Sequence, residues 1–245
     1  MLPSVSIFRV EAVTLNEEIQ ASGDLQARFH TMVAAEVEGR ITELSIDEGG
    51  SVTAGAIVIK IDPARHELDL AAAEARLSQA RANRRKERSQ TARIRELRSQ
   101  SVSSVRQLEE AENALALAQS AVRAEEAAVG VARRAVNDSS VAAPFEGLVA
   151  RRAVELGEFV QSGTELFELV SLDLLEAVFS LTELDTDRVR AGQKVAISVG
   201  AFPNRTFDGV VTFVAPTVDP ETRTLRIKAE VDNAEALLRP GLFAR

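Results

Sequence analysis

Cysteine, tryptophan and tyrosine are absent from this 245-residue sequence, and histidine and methionine occur twice each. Without cysteine there are no disulfides, no thiolate metal sites and no thiol nucleophiles. Two histidines, His30 and His66, cannot build a His-rich metal centre, nor two methionines a Met-rich one. The only aromatics are ten phenylalanines, 4% of the chain, too few for a surface that stacks on bases or sugars. A net charge of −8 and a pI near 5.1 argue against generic nucleic-acid binding. No run of about 18 apolar residues is present, so nothing reads as a membrane-spanning helix. The N-terminus lacks the charged-then-apolar pattern of a signal peptide, so the targeting segment of an exported protein would lie outside this sequence. There is no paired His, no acid clustered with a base and no phosphate-cradling glycine loop. The expectation is a protein that is not an enzyme and carries no cofactor.

What the chain does have is an internal repeat. Residues 34–62 and 142–170 align without a gap at an offset of 108. Identical pairs are Ala34/Ala142, Ala35/Ala143, Glu38/Glu146, Gly39/Gly147, Gly49/Gly157, Val52/Val160 and Gly55/Gly163. Three glycines recur at spacings of ten and six. Because glycine takes up positive φ in tight turns, Gly39, Gly49, Gly55, Gly147, Gly157 and Gly163 are expected to fix matching turns in the two copies. Short β-type stretches lie between them, such as Ile57-Val58-Ile59 and Leu166-Phe167-Glu168-Leu169. A unit this short cannot bury its own apolar face and needs its twin. Each copy resembles a biotinyl/lipoyl half-motif, two of which interlock as a flattened barrel. The lysine-bearing hairpin of the carrier proteins in that family has no counterpart here, which disfavours a swinging-arm role. Lys60 reads as a solvent-facing strand residue.

Residues 63–139 separate the halves and read as two long helices. From Ala64 to Arg98 there is no Gly or Pro, and strong helix formers dominate. Asp62-Pro63 is a start signal, an N-cap aspartate before a proline at the first helical position. The stretch Ser99-Gln100-Ser101-Val102-Ser103-Ser104 breaks the pattern. A second helix follows over about 105–137, with a heptad seam of Leu108, Leu115, Val122, Val129 and Val136. Ala111, Ala118 and Ala132 fill intervening core positions and Glu125 interrupts one. The first helix answers with Leu70, Ala73, Leu77 and Ala80 and, after a polar stretch, Ile94 and Leu97. The expected product is an antiparallel coiled-coil hairpin about 50 Å long. With the turn centred near Ser101, Arg93 is expected opposite Glu109 or Glu110.

Residues 172–245 read as a small antiparallel β-barrel. Strands are expected at Leu175 to Leu181, Val195 to Val199, Phe207 to Val214 and Leu225 to Val231, with a short capped helix from Thr182 to Arg190. Asp208-Gly209 and Asp219-Pro220 are breakers. A further strand begins near Phe243 as the sequence stops, which suggests an end within or beside a folded region.

This order of parts resembles the periplasmic adaptor, or membrane fusion protein, family of tripartite efflux pumps. The local signatures are Val37-Glu38-Gly39-Arg40-Ile41, Ala143-Pro144-Phe145-Glu146-Gly147, Val218-Asp219-Pro220-Glu221-Thr222-Arg223-Thr224 and Arg239-Pro240-Gly241. At the hairpin, Arg93, Leu97 and Ser104 match the spacing of adaptors that dock on TolC-like channels. The resemblance implies a mixed α+β, elongated multidomain fold, with a coiled-coil hairpin inserted between the halves of a lipoyl-like barrel-sandwich hybrid and followed by a β-barrel. It divides the chain into 1–14 (partial membrane-proximal strand), 15–32 (strand arm of the barrel), 33–62 and 140–171 (half-motifs), 63–139 (hairpin) and 172–245 (barrel). It implies a periplasmic adaptor linking an inner-membrane resistance-nodulation-division (RND) transporter to a TolC-like outer-membrane channel. Arg93, Leu97 and Ser104 would meet the channel. Copies would self-associate into a ring, a hexamer by family resemblance, attached to the inner membrane through a segment outside this sequence. An ABC-type export adaptor and a self-assembling coiled-coil scaffold are the competing readings. Read without the resemblance, Ser104 is a plain N-cap, Leu97 the last core layer and Arg93 a partner of Glu109 or Glu110.

Overall fold

The computed structural model describes residues 19–245; the strand expected within 1–14, and the start of the arm expected over 15–32, lie outside them. The described residues form two units, one made of residues 29–171 and the other of residues 19–28 together with 172–245. In chain order, β1 (Ser22–Ala27) belongs to the second unit and β2 (His30–Ala34) opens the first.

The offset of 108 carries through to the strands. β3 (Gly39–Leu44), β4 (Ser51–Val52) and β5 (Ile57–Ile61) return as β7 (Gly147–Arg152), β8 (Phe159–Val160) and β9 (Glu165–Val170), and β2 returns as β6 (Ser140–Ala142). Two four-stranded sheets result, in the orders β2-β9-β7-β4 and β6-β5-β3-β8. Each sheet takes two strands from each half, so neither half is complete alone. The hydrogen bonds between halves are reciprocal. Gly55 N–H donates to the Ala143 carbonyl at 2.8 Å and Gly163 N–H to that of Ala35 at 2.7 Å, while Gly49 donates to Val149 at 2.8 Å and Gly157 to Ile41 at 2.9 Å. Repeat mates also share the core: Ile41 with Val149, Ile59 with Phe167 and Ile61 with Leu169 are all buried. Burying side chains of this size stabilises by roughly 1.5–3 kcal/mol each, and here the gain exists only when both halves are present.

Between β5 and β6 the chain leaves as α1 (Ala64–Ser99) and returns as α2 (Val105–Asp138). The expected N-cap is displaced by one residue. Pro63 is the last residue before α1, and Asp62 still caps, its Oδ1 accepting from Ala64 N–H at 3.0 Å. Ala73, Leu77, Val122 and Val129 form the hairpin core, with Leu70, Ala80 and Ala132 against it. Ala111 and Ala118 are buried further along. The seam of α1 continues through the polar stretch at the same period, through Arg84, Glu87 and Thr91 to Ile94 and Arg98. Leu97 therefore lies one residue off it and is not a core layer. Thr91, 1% exposed, donates to the Glu87 carbonyl of its own helix at 2.8 Å and across the hairpin to the Ala111 carbonyl at 3.0 Å. One flank of the hairpin is laced by Glu74–Arg133, Arg81–Glu126 and Arg95–Glu112, at 3.2, 2.9 and 2.7 Å.

The second unit is a six-stranded antiparallel sheet. It comprises β1, β10 (Leu174–Thr182), β11 (Lys194–Ser198), β12 (Thr206–Val214), β13 (Thr224–Asp232) and β14 (Phe243–Ala244), in the order β11-β12-β13-β10-β1-β14. A bridge between Val199 and Ala244, with Ser198 and Arg245 exchanging two 2.9 Å backbone bonds, joins the two outer strands and closes the barrel. Closure removes both sheet edges. Inward residues alternate along β10 (Leu175, Ala177, Phe179, Leu181) and β13 (Leu225, Ile227, Ala229, Val231), and all are buried. The helix expected after β10 is a 3-10 turn, Glu183–Arg188. Asp208-Gly209, read as a breaker, lies inside β12. Gly209 is needed there because a Cβ would come within 2.9 Å of Ile197 Cδ1 and 3.1 Å of the Glu230 carbonyl.

Candidate functional site

The hairpin tip is built by two helix ends. α1 closes with a paired-bond cap in which Val102 N–H donates to the Leu97 carbonyl at 2.9 Å and Ser101 N–H to that of Arg98 at 2.8 Å. Ser101 occupies the left-handed position of this cap with φ 60°, a place usually given to glycine. α2 opens with a capping box. Ser104 Oγ accepts from Gln107 N–H at 3.2 Å, and Gln107 Oε1 accepts from Ser104 N–H at 3.1 Å and from the Ser103 hydroxyl at 2.9 Å. The two caps satisfy backbone groups at both helix ends and fix the turn.

Fixing the turn leaves apolar side chains in water. Leu97 is 38% exposed, Val102 71% and Val105 54%. The first and last of these are on helices and Val102 is in the turn between them. Arg93, one turn before Leu97 on the same helical face, is exposed and makes no hydrogen bond or ion pair among the described residues. The expected pairing of Arg93 with Glu109 or Glu110 does not form. Arg95 takes the cross-hairpin position with Glu112, and Glu110 faces Arg106 of its own helix at 3.9 Å. The sequence spacing thus brings Arg93, Leu97 and Ser104 to one end of the hairpin. It missed Val102 and Val105, although two valines around a serine-rich turn were the available signal.

The repeat glycines divide by role. Gly49, Gly55, Gly157 and Gly163 hold turns at φ 77–89°. Gly39 and Gly147 hold no turn; they open β3 and β7 where a neighbouring strand passes close. A Cβ at Gly147 would lie 2.5 Å from the Val170 carbonyl oxygen, and one at Gly39 would lie 2.6 Å from Ile61 Cγ2. In the barrel, Asp219 organises the loop between β12 and β13. Backbone N–H groups of Thr222 and Glu221 donate to its carboxylate, at 3.2 and 2.8 Å, and hold it below the ordinary aspartate range. Arg223 in the same loop takes φ 52°. Asn233 is buried and fully used, donating to the Leu172 and Leu238 carbonyls and accepting from Leu238 N–H. Among the described residues no three His, Asp or Glu side chains are placed to hold a metal, and no helix is long and apolar enough to cross a membrane.

Comparison with known proteins matches both units. A family model described as RND MFP, barrel-sandwich hybrid domain, matches residues 30–172, and one described as CusB-like, beta-barrel domain, matches 177–245. Nodulation protein NolF of Rhizobium meliloti is 30% identical over 240 residues, covering 92% of this chain and 62% of NolF. Multidrug resistance protein MdtA of Klebsiella pneumoniae is 28% identical over 247 residues, covering 96% of this chain and 60% of MdtA. The chain thus spans 60–62% of the length of these curated relatives. The crystal structure of ZneB from Cupriavidus metallidurans superposes with a TM-score of 0.57 at 25% identity, covering 91% of this chain and 68% of ZneB. By the match across residues 30–172 and the fold that carries it, the chain belongs to the RND membrane fusion protein family.

Proposed function

We propose that the chain is the body of a non-enzymatic periplasmic adaptor, attached to the inner membrane, that links an RND transporter to a TolC-like outer-membrane channel. The observation that carries this reading is the tip. A rigidly capped turn holds Leu97, Val102 and Val105 in solvent beside an unpaired Arg93, at the end of a two-helix rod. Exposed apolar side chains on a fixed frame suit contact with another protein. Leu97 and Val102 supply the apolar contact, and Arg93 and the Ser104 hydroxyl supply polar contacts to the channel's helical ends. Several copies stand side by side in a ring, with the barrels toward the transporter. The match of 177–245 to a CusB-like barrel model favours an RND partner over an ABC-type exporter.

The test is site-specific crosslinking from Ser104→Cys in an anchored full-length protein within cells. The described chain has no cysteine of its own, so the new thiol is the only one in this region. A crosslink to an outer-membrane channel is expected. Crosslinks to other copies alone would instead support a coiled-coil scaffold.

A further inference from the structure

The ion pairs that lace one side of the hairpin form a ladder with one rung missing. Glu74–Arg133, Arg81–Glu126 and Arg95–Glu112 follow a step of seven residues in both helices. The same step sets Arg88 of α1 level with Gln119 of α2, and glutamine carries no charge to meet an arginine. Both side chains are exposed, and Arg88 makes no hydrogen bond or ion pair among the described residues.

More positive charge surrounds the gap. Arg84 and Arg85 lie one turn before Arg88 on the same side of α1, and neither is paired among the described residues. Arg123 lies one turn beyond Gln119 on α2 and, among the described residues, bonds only to the Ser120 hydroxyl, at 2.8 Å. The acids of the adjoining rungs, Glu126 and Glu112, are taken up by Arg81 and Arg95. Arg81 with Arg85, and Arg84 with Arg88, are like charges four residues apart, a spacing that works against an isolated helix. A merely solvated flank has no reason to gather them. Residues 81–112 carry nine basic and five acidic side chains, and the rest of the chain 20 and 32. The surplus is local, on an otherwise acidic protein.

We infer that Arg84, Arg85, Arg88 and Arg123 form a carboxylate-binding patch on the rod and that its ligand is peptidoglycan. The inference rests on the adaptor reading, which carries the rod from the inner membrane toward the outer one, across the layer where the cell wall lies. Guanidinium groups grip carboxylates through paired hydrogen bonds, and the peptide stems of the wall end in free carboxylates. Height argues against a lipid surface. Arg88 stands about 36 Å from the start of α1 and about 17 Å short of its end, so a membrane at the base or beyond the tip is not level with it. One patch holds one stem weakly. The wall repeats the stem and a ring of copies repeats the patch, so the contacts reinforce one another.

Full-length protein in detergent is sedimented with purified, insoluble peptidoglycan. The unmodified protein is expected to pellet with it and to be released as salt rises. Gln119→Glu completes the ladder without removing an arginine, and Arg88→Gln removes the unpaired cation. Each is expected to weaken binding at least tenfold while helical circular dichroism is retained. Arg76→Gln, nearer the base, is expected to bind as before. Peptidoglycan whose carboxylates have been converted to amides is expected to retain none of the proteins. Equal binding by Gln119→Glu, or binding that survives amidation, would overturn the patch. Flotation with vesicles of phosphatidylglycerol, without sedimentation on peptidoglycan, would overturn it in favour of a lipid headgroup. No binding to peptidoglycan, while Ser104→Cys still crosslinks to a channel, would overturn the inference and leave the adaptor reading standing. Binding lost in Gln119→Glu, without any channel crosslink, would support the patch and remove the adaptor reading.

Discussion

Ser101 holds the tip turn in a left-handed conformation that a Cβ opposes by roughly 1–2 kcal/mol, and among the described residues its hydroxyl makes no hydrogen bond that offsets this. Glycine removes that opposition at some cost in unfolded-chain entropy. Ser101→Gly should therefore stabilise the hairpin by a few tenths to about 1 kcal/mol, read as a higher thermal midpoint of helical circular dichroism; a lower midpoint would contradict the cap geometry. Thr91 presents the reverse case. A leucine at a core heptad position ordinarily stabilises a coiled coil, but here the Ala111 carbonyl lies 3.0 Å from the threonine hydroxyl. The space is closed by the opposite backbone, so Thr91→Leu should destabilise the hairpin by about 1–3 kcal/mol in urea unfolding. Asp219 supplies a prediction in pH. Its folded-state pKa is lowered by the N–H groups of Thr222 and Glu221, so the loop gains stability above the unfolded aspartate pKa and loses it as pH falls through the depressed value. The amide shifts of Glu221 and Thr222 should titrate together with a midpoint below the ordinary aspartate range. A midpoint at or above that range would remove the carboxylate from its role in the loop.

At the scale of elements, the hairpin sets two kinds of interaction side by side. Its ion pairs are short but exposed, with Arg95 and Glu112 at 64% and 47% side-chain exposure. Exposed pairs of this kind contribute about 0.2–1 kcal/mol. Val122 is 2% exposed and packs in the hairpin core. Val122→Ala should then cost about 1–3 kcal/mol, clearly more than the coupling measured for Arg95 and Glu112 by a double-mutant cycle. If the order is reversed, the flank and not the seam holds the rod together. The same contrast explains what the sequence made legible. Both helices and the α2 seam were readable because apolar residues recur at a fixed period. In α1 the period passes through Arg84, Glu87 and Thr91, where no apolar residue marks it. By residue type alone Leu97 falls in line with the core, as the reading without the family resemblance has it, whereas the phase places it outside. The exposed position of Leu97 and the unpaired state of Arg93 depend on that phase, so the residues of the tip were legible and their surroundings were not. Gly39 and Gly147 were misread for a related reason, since sequence cannot tell a glycine needed for positive φ from one needed for close strand approach.

At the scale of the whole molecule, the repeat accounts for why a helical rod could be set into a β-sandwich at this place. β5 and β6 are antiparallel neighbours, with Lys60 opposite Ser140 and Ile61 N–H donating to the Ser139 carbonyl at 2.8 Å. The hairpin leaves after one of these strands and returns before the other, so to the sandwich it is the connection of a β-hairpin, lengthened to 36- and 34-residue helices. Every strand pairing of the two four-stranded sheets is made by residues outside the insert. When the insert is removed the sandwich loses the packing of Ala135 and the exposed contacts that Arg65 and His66 make with Glu38. A side chain as small as that of Ala135 contributes about 1 kcal/mol. Joining Asp62 to Ser139 through a two-residue Asn-Gly turn, within a chain of residues 29–171, should therefore give a cooperatively folding all-β protein. Its far-UV circular dichroism should lack the helical minima, and its thermal unfolding should remain a single sharp transition. The closed barrel of the other unit should be unaffected when the same deletion is made in the longer chain. A deleted chain that is protease-sensitive and unfolds without cooperativity would mean that the rod's base is part of the sandwich core, and that the two halves interlock only around it.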